Sequence, residues 1–303
     1  MLLNESYKSS PYSPMTITDK SSGKKRDIMR PKFYPDQCVQ WAIMQVVEPI
    51  IMKGHYYLSC GSVPRKGGHF AKRFVEKWIR KDPKNTKYTL QIDVTKFYPS
   101  INHDKLKEMF ARKIKCKRTL NLIGEVIDGG GQGLPIGNYT SQWFANFYLQ
   151  DFDHYLKEVL KIKYYVRYMD DIVIFGSNKR TLHKHFRIIE EMLHDLYLKP
   201  KGNWQVFRTD KRPLDFLGYK FYRNKTILRK KNSLRMKRRA KKIFKKGRLS
   251  FTDCCAMISY MGWIKSSNSY NFYNKHIKPY INIGKCKEVI RHEAKQRYQT
   301  QYC

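Results

Sequence analysis

The stretch from Tyr164 to Phe175, YYVRYMDDIVIF, constrains this chain more than any other. β-branched and aromatic residues crowd both sides of two adjacent carboxylates, so the segment reads as two short strands around a turn containing Asp170 and Asp171. Adjacent acids in a surface turn are ordinary and usually only solvated. Set between apolar strands, an uncompensated charge pair is costly and calls for a cation or a reaction.

A third carboxylate is supplied upstream. Tyr88 to Val94, YTLQIDV, alternates apolar and polar side chains like a half-buried strand and delivers Asp93 at its end. Between the two acid-bearing segments, Ser141 to Leu160 repeats apolar residues at Phe144, Phe147, Tyr148, Phe152, Tyr155, Leu156 and Val159, the spacing of one helix whose aromatics are core. The order strand, helix, hairpin predicts an α+β fold in which a sheet backed by helices presents Asp93, Asp170 and Asp171 together.

Three carboxylates in one place repel: two unit charges ~4 Å apart cost about 4 kcal/mol at an effective dielectric of 20. Mg²⁺ suits such a cluster, because hard oxygen ligands and retained waters leave room for substrate phosphates. Two such ions can activate an attacking hydroxyl and stabilise a departing pyrophosphate oxygen, which is nucleotidyl transfer.

Charge points to the same class of partner. With 61 Lys and Arg against 25 Asp and Glu, the 303-residue chain carries +36, far beyond what solubility requires. No apolar run approaches the ~20 residues that span a bilayer, so nucleic acid is favoured over a membrane. From Arg223 to Arg248, 14 of 26 residues are Lys or Arg and none is acidic. Met236, Ala240, Ile243 and Phe244 fall at helical spacing there, with Gly247 as a stop, which predicts an amphipathic basic helix whose Lys237, Arg238, Lys241 and Lys242 meet phosphates. Cysteines at 38, 60, 116, 254, 255, 286 and 303 form no C-x-x-C pair. An odd count, with no basic start and apolar core in Met1 to Ser13, predicts reduced thiols, no structural zinc and a cytoplasmic protein.

YMDD at 168 to 171 resembles the polymerase signature of reverse transcriptases, and QIDVTKFYPSI at 91 to 101 resembles their first palm motif. Further blocks follow in the family's order: RDIMRPKFYPDQCVQ (26 to 40), PRKGGHFA (64 to 71), LPIGNYTSQ (134 to 142) and FLGYKF (216 to 221). A series of this kind is far more specific than any one block. The resemblance implies that Asp93, Asp170 and Asp171 hold two Mg²⁺ ions. It puts Tyr98 where such enzymes carry an aromatic gate against a ribose 2′-hydroxyl, so deoxynucleotides are the expected substrate. It likens Arg65 and Lys66 to the basic loop that meets the incoming triphosphate. By spacing alone Tyr98 could equally be a core aromatic, and Arg65 and Lys66 ordinary loop charges. The lysine expected after the hairpin is left open between Lys199 and Lys201.

Group II intron and retron enzymes generally read QG-x-x-x-SP in the block lining the nucleotide pocket, whereas this chain has Ile136 and Gly137 followed by Ser141 and Gln142. That pattern is similar to diversity-generating retroelement reverse transcriptases, as are KGNWQVF (201 to 207), LDFLGYKF (214 to 221) and SYMGWIKSSNSYNFYNKHI (259 to 277). The resemblance implies a right-hand polymerase: fingers over 1–87, palm over 88–222 with part of 105–130 free to return to the fingers, and a helical basic thumb over 223–303. It leaves no room for maturase or endonuclease domains. It further implies template RNA and an RNA/DNA hybrid as partners, a small basic accessory oligomer (a variability determinant), and error-prone copying of a template-repeat RNA into adenine-mutagenised cDNA that diversifies a target gene. Ile136 stands where many reverse transcriptases place a Gln amide, which predicts a permissive pocket unless the side chain only packs beneath it. Two alternatives stand beside this reading: a retron or defence-associated reverse transcriptase, and a catalytically silent RNA-binding protein.

Overall fold

A computed structural model describes residues 1–18, 23 and 25–302; Cys303 lies outside the described residues. The chain divides into two compact units, Met1–Lys211 and Arg212–Cys303.

In the first unit a hairpin of β1 (Ser13–Thr18) and β2 (Lys25–Arg30) precedes helices α1 (Cys38–Lys53) and α2 (Gly68–Lys81). Then come β3 (Tyr88–Ile92), the single turn α3 (Phe97–Ser100), α4 (His103–Lys113), α5 (Lys117–Asp128), α6 (Tyr139–Tyr148) and α7 (Gln150–His154). The unit closes with β4 (Tyr164–Tyr168), β5 (Asp171–Gly176), α8 (Lys179–Asp195) and β6 (Gln205–Arg208).

The main sheet is antiparallel, in the order β4-β5-β3-β6. Ile172, Val173, Ile174 and Phe175 of β5 are all buried, so this central strand is covered on both faces. Leu90, Ile92, Ile172 and Ile174 share one core with Phe144 and Phe147 of α6 and with Leu182, Phe186 and Ile189 of α8. On the alternate face, Trp78 of α2 meets the rings of Tyr164 and Phe175 at centroid distances of 5.2 and 6.3 Å.

The helix expected over Ser141 to Leu160 is interrupted. Leu149, at φ −99° and ψ 10°, separates α6 from α7, and the closing turn widens so that Leu160 N–H donates to the Tyr155 carbonyl five residues back. The break shifts the helical phase, which is why Val159, expected in the core, is exposed while Phe152 and Leu156 are buried. A polar stripe also faces inward across the break: Asn146, Gln150 and Asp153 are buried.

In the second unit, β7 (Leu214–Phe216), β8 (Tyr219–Phe221) and β9 (Thr226–Leu228) form an antiparallel sheet, followed by α9 (Lys230–Lys246), α10 (Phe251–Lys265), α11 (Tyr270–His276) and α12 (Ile283–Tyr302). The basic run is therefore not one helix throughout, because its first part closes the small sheet. Gly247 ends α9 in the left-handed conformation at φ 67°. Met236, Ala240 and Ile243 are buried as their spacing predicts, but Phe244 is 59% exposed. It follows Ile243 by one residue, about 100° further round the helix, beyond the edge of the buried stripe. Among the described residues no helix is long and apolar enough to cross a membrane.

Candidate active site

Tyr168 and Asp171 are paired across β4 and β5, which leaves Met169 and Asp170 as a two-residue turn. Met169 takes the left-handed backbone at φ 55° although it is neither Gly nor Asn. The turn is packed from below: a Cβ added at Gly61 would lie 2.6 Å from the Met169 Cγ and Sδ, so only glycine admits this approach.

Asp93 follows the last residue of β3, the strand hydrogen-bonded to β5, so the strand end and the hairpin turn meet. Asp170 comes within hydrogen-bonding reach of Asp93, and its carboxyl is pushed up to about 6, by burial first and then by the neighbouring Asp93. Asp171 continues into β5 and is half-buried. Among the described residues no group of three or more His, Cys, Asp or Glu forms a ready metal cage. The aspartates brought together are a pair, with Asp171 adjoining it in sequence.

Beside this pair the structure distinguishes Lys199 from Lys201 by position. The chain after α8 runs antiparallel to the end of β3: Thr95 N–H donates to the Lys199 carbonyl (2.8 Å), Val94 bridges Pro200, and Lys201 N–H donates to the Asp93 carbonyl (2.7 Å). This register carries the Lys201 ammonium onto the Asp93 carboxylate, whereas the Lys199 side chain is exposed. Tyr98 of α3 joins the group. Burial pushes its hydroxyl well up, Asp170 and Tyr168 add to that, and Arg26 of β2 opposes it. The sequence alone does not single out Arg26, because nothing in one basic hairpin strand says which cation comes near Tyr98 so far along the chain.

The remaining candidates lie as follows. Ile136 is half-buried just ahead of α6, its carbonyl accepting from Met29 N–H of β2 at 3.0 Å. Gly137, at φ 124°, is needed where β2 crosses, since a Cβ would meet the Ile28 side chain at 2.6 Å. Gln142 is exposed on α6. Arg65 is exposed with a left-handed backbone at φ 60°, and Lys66 donates to the Tyr57 carbonyl at 2.7 Å with its Nζ 4.9 Å from that ring's centroid. In the second unit Arg238, Lys241 and Lys242 are exposed on α9 and Lys237 is half-buried. Lys241 Nζ lies 5.6 Å from the Tyr280 ring centroid, and the His276 pKa is lowered by burial and by Lys237, Lys275 and Lys241.

The donor set of the acid pair fits a hard divalent cation: carboxylate oxygens from a strand end and a hairpin turn, one of them holding its proton more tightly than usual even though Lys201 partly offsets the repulsion.

Comparison with known proteins identifies the family. The profile of the family "Reverse transcriptase (RNA-dependent DNA polymerase)" matches residues 18–221, and the chain belongs to that family. Its members generally use divalent metal ions. The chain is 27% identical over 173 residues to Protein YkfC of Escherichia coli (strain K12), an alignment covering 52% of this chain and 45% of that protein. It is 28% identical over 155 residues to an uncharacterized 91 kDa protein in the cob intron of Schizosaccharomyces pombe, covering 47% and 18%. Among solved structures, apo telomerase from Candida tropicalis superimposes with a TM-score of 0.55 at 15% identity, covering 71% of this chain and 48% of that one. Telomerase from the same organism with a fragment of telomeric RNA gives 0.57 at 13% identity, covering 97% and 55%. The chain thus spans about half the length of these telomerase chains and less than half of the sequence relatives. The likeness is one of fold: the mixed helix and antiparallel sheet of right-hand polymerases, as the sequence predicts.

Proposed function

We propose that this chain is an RNA-directed DNA polymerase that extends a primer with deoxynucleotides along an RNA template, with Asp93, Asp170 and Asp171 holding two Mg²⁺ ions. The observation that carries the reading is the approach of Asp170 to Asp93 in a chain of the reverse transcriptase family. Bound there, the ions supply an activated primer hydroxyl and stabilise the departing pyrophosphate oxygen. The chain's own groups do the rest. Lys201 offsets the charge of Asp93 between substrates, and Tyr98, beside Asp170, narrows the space at the ribose 2′ position. Arg26, Arg65 and Lys66 are cations for the triphosphate, and the α9 cations hold the template hybrid. The division into fingers over 1–87, palm over 88–222 and thumb over 223–303 belongs to this reading.

A finer reading rests on the residues around the pocket. Ile136, Gly137 and Gln142 support a diversity-generating retroelement enzyme: hydrocarbon replaces an amide that would otherwise constrain the incoming base, so shape and pairing alone select it. Its partners are then a template-repeat RNA and a small basic accessory oligomer.

One experiment tests both levels. Primer extension on an RNA template with Mg²⁺ should show incorporation that Asp170→Asn lowers roughly a thousandfold or more while RNA binding stays within about twofold. Parental rates in that variant would remove Asp170 from the metal site. Sequencing the parental cDNA should show errors concentrated at template adenines; an even spectrum would leave the polymerase reading standing and end the finer one.

A further inference from the structure

A wholly buried cation of the first unit lies two residues before the Met169–Asp170 turn. Arg167 of β4 is fully buried, as are Asp153 of α7 and Asn146 of α6. Its Nε donates to Asp153 Oδ1 at 2.8 Å and its Nη2 to Oδ2, the parallel fork that guanidinium and carboxylate form best. Its Nη1 donates to Asn146 Oδ1 at 3.2 Å and to the Met169 carbonyl at 3.0 Å.

Each partner is itself held. Tyr165 O–H donates to Asp153 Oδ1, and Asn146 Nδ2 donates to the Gly61 carbonyl at 2.8 Å. Gly61 is the residue whose missing side chain makes room for Met169. Alongside it, Cys60 N–H donates to the Arg167 carbonyl at 2.9 Å and Arg167 N–H to the Leu58 carbonyl at 3.1 Å. Separately folded pieces of the chain therefore converge on Arg167, whose Nη1 in turn holds the carbonyl of the residue in the unfavourable left-handed conformation. Such a conformation persists only where its surroundings over-determine it.

We propose that Arg167 is the positioning residue of the acid-bearing turn: braced by Asp153 and Asn146, its guanidinium holds the Met169 carbonyl and so fixes the backbone from which Asp170 reaches Asp93. This rests on the polymerase reading only for its functional consequence. Its geometric part rests on the turn itself.

Arg167→Lys keeps a cation for Asp153 but lacks the fork that serves three acceptors at once. In this variant, hydrogen exchange at the Asp170 and Asp171 amides should quicken severalfold while β3 and α8 exchange as before. Mn²⁺ binding, followed by electron paramagnetic resonance on chelator-treated protein, should weaken severalfold. In primer extension kcat should fall roughly tenfold to a hundredfold, as small misplacements do, with KM for template and primer within about threefold. Adding Met169→Gly, which accepts the left-handed backbone without steric cost, should recover about tenfold of the loss. Unchanged exchange at Asp170 in a folded Arg167→Lys protein would overturn the proposal. So would an activity loss that tracks a lowered melting temperature and that Met169→Gly does not recover, because Arg167 would then serve the core alone. Should the parental chain incorporate nothing, the polymerase reading fails by itself, and the exchange and Mn²⁺ arms still decide the role of Arg167.

Discussion

Arg167 and the cations of α9 are the same chemistry in opposite settings. One guanidinium is wholly buried and spends its donors on Asp153, Asn146 and the Met169 carbonyl. Along α9, Arg238, Lys241 and Lys242 stand in solvent on a stretch without a single acid. Burial raises the cost of an unmatched charge severalfold, so the first arrangement tolerates no change of partner, whereas the second tolerates nearly any change that keeps the helix. Net charge therefore describes the surface and says little about the site. What shapes the site is a handful of charges matched one to one.

The largest expected effect breaks that matching. Asp153→Ala leaves Arg167 buried without its carboxylate and should cost about 3–5 kcal/mol in urea denaturation, whereas Arg238→Ala on α9 should change stability by no more than about 0.5 kcal/mol. Similar losses from both would mean that the Arg167 pocket admits water and that the contrast is false.

The acid pair supplies the next effect, with a sign fixed by proton affinity. In the metal-free protein the Asp170 carboxyl sits at about 6 rather than 3.8. A group that binds its proton more tightly when folded contributes stability fully below 3.8 and loses it as pH rises through about 6. At about 1.4 kcal/mol per pH unit the loss comes to about 3 kcal/mol. Asp170→Asn cannot ionise, so with chelator present its stability relative to the parent should grow by about 2 kcal/mol between about pH 4 and pH 7.5, and Mg²⁺ should narrow the gap. Parallel pH curves for the two proteins would show that Asp170 ionises freely and that Asp93 does not confront it.

The legibility of these features in the sequence divides along the same line. Asp93 at a strand end and the apolar hairpin around Asp170 are local patterns, and the pairing of β3 with β5 brings the two together. Arg167 was legible only as one polar residue inside a strand, because its partners come from α6 and α7, across the break at Leu149. The signal was present: Asn146, Gln150 and Asp153 recur at helical spacing, a polar stripe that an aromatic-rich helix does not need on its solvent side. Lys201 could not be told from Lys199, since both have the same strand parity and only the register against Asp93 separates them. Phe244 failed in the other direction: one residue past Ile243 it leaves the buried stripe and rests edgewise against Tyr280, with ring centroids 5.5 Å apart.

The smallest stability change belongs to α9, and there the binding readout sharpens the contrast. Lys237 and Lys241, like Arg238 and Lys242, are four residues apart on one helix, so each pair repels by a few tenths of a kcal/mol, and Gln matches Lys and Arg in helix propensity. Replacing all four by Gln should therefore leave the melting temperature unchanged or slightly raised. The buried stripe of Met236, Ala240 and Ile243 is untouched by these changes, so the helix keeps what holds it to its own unit. If the four cations meet phosphates, the logarithmic salt dependence of RNA binding should flatten by about 0.7 to 1 unit for each phosphate left without its cation, and by about 3 to 4 units for all four. Lys237 is half-buried and Lys241 already lies over the Tyr280 ring, so about two to three units is the expected result. Filter binding from about 50 to 300 mM salt measures it, with circular dichroism to verify the helix. An unchanged slope in a folded variant would make the α9 charges as idle for RNA as they are for stability, and the template would have to be held by cations elsewhere.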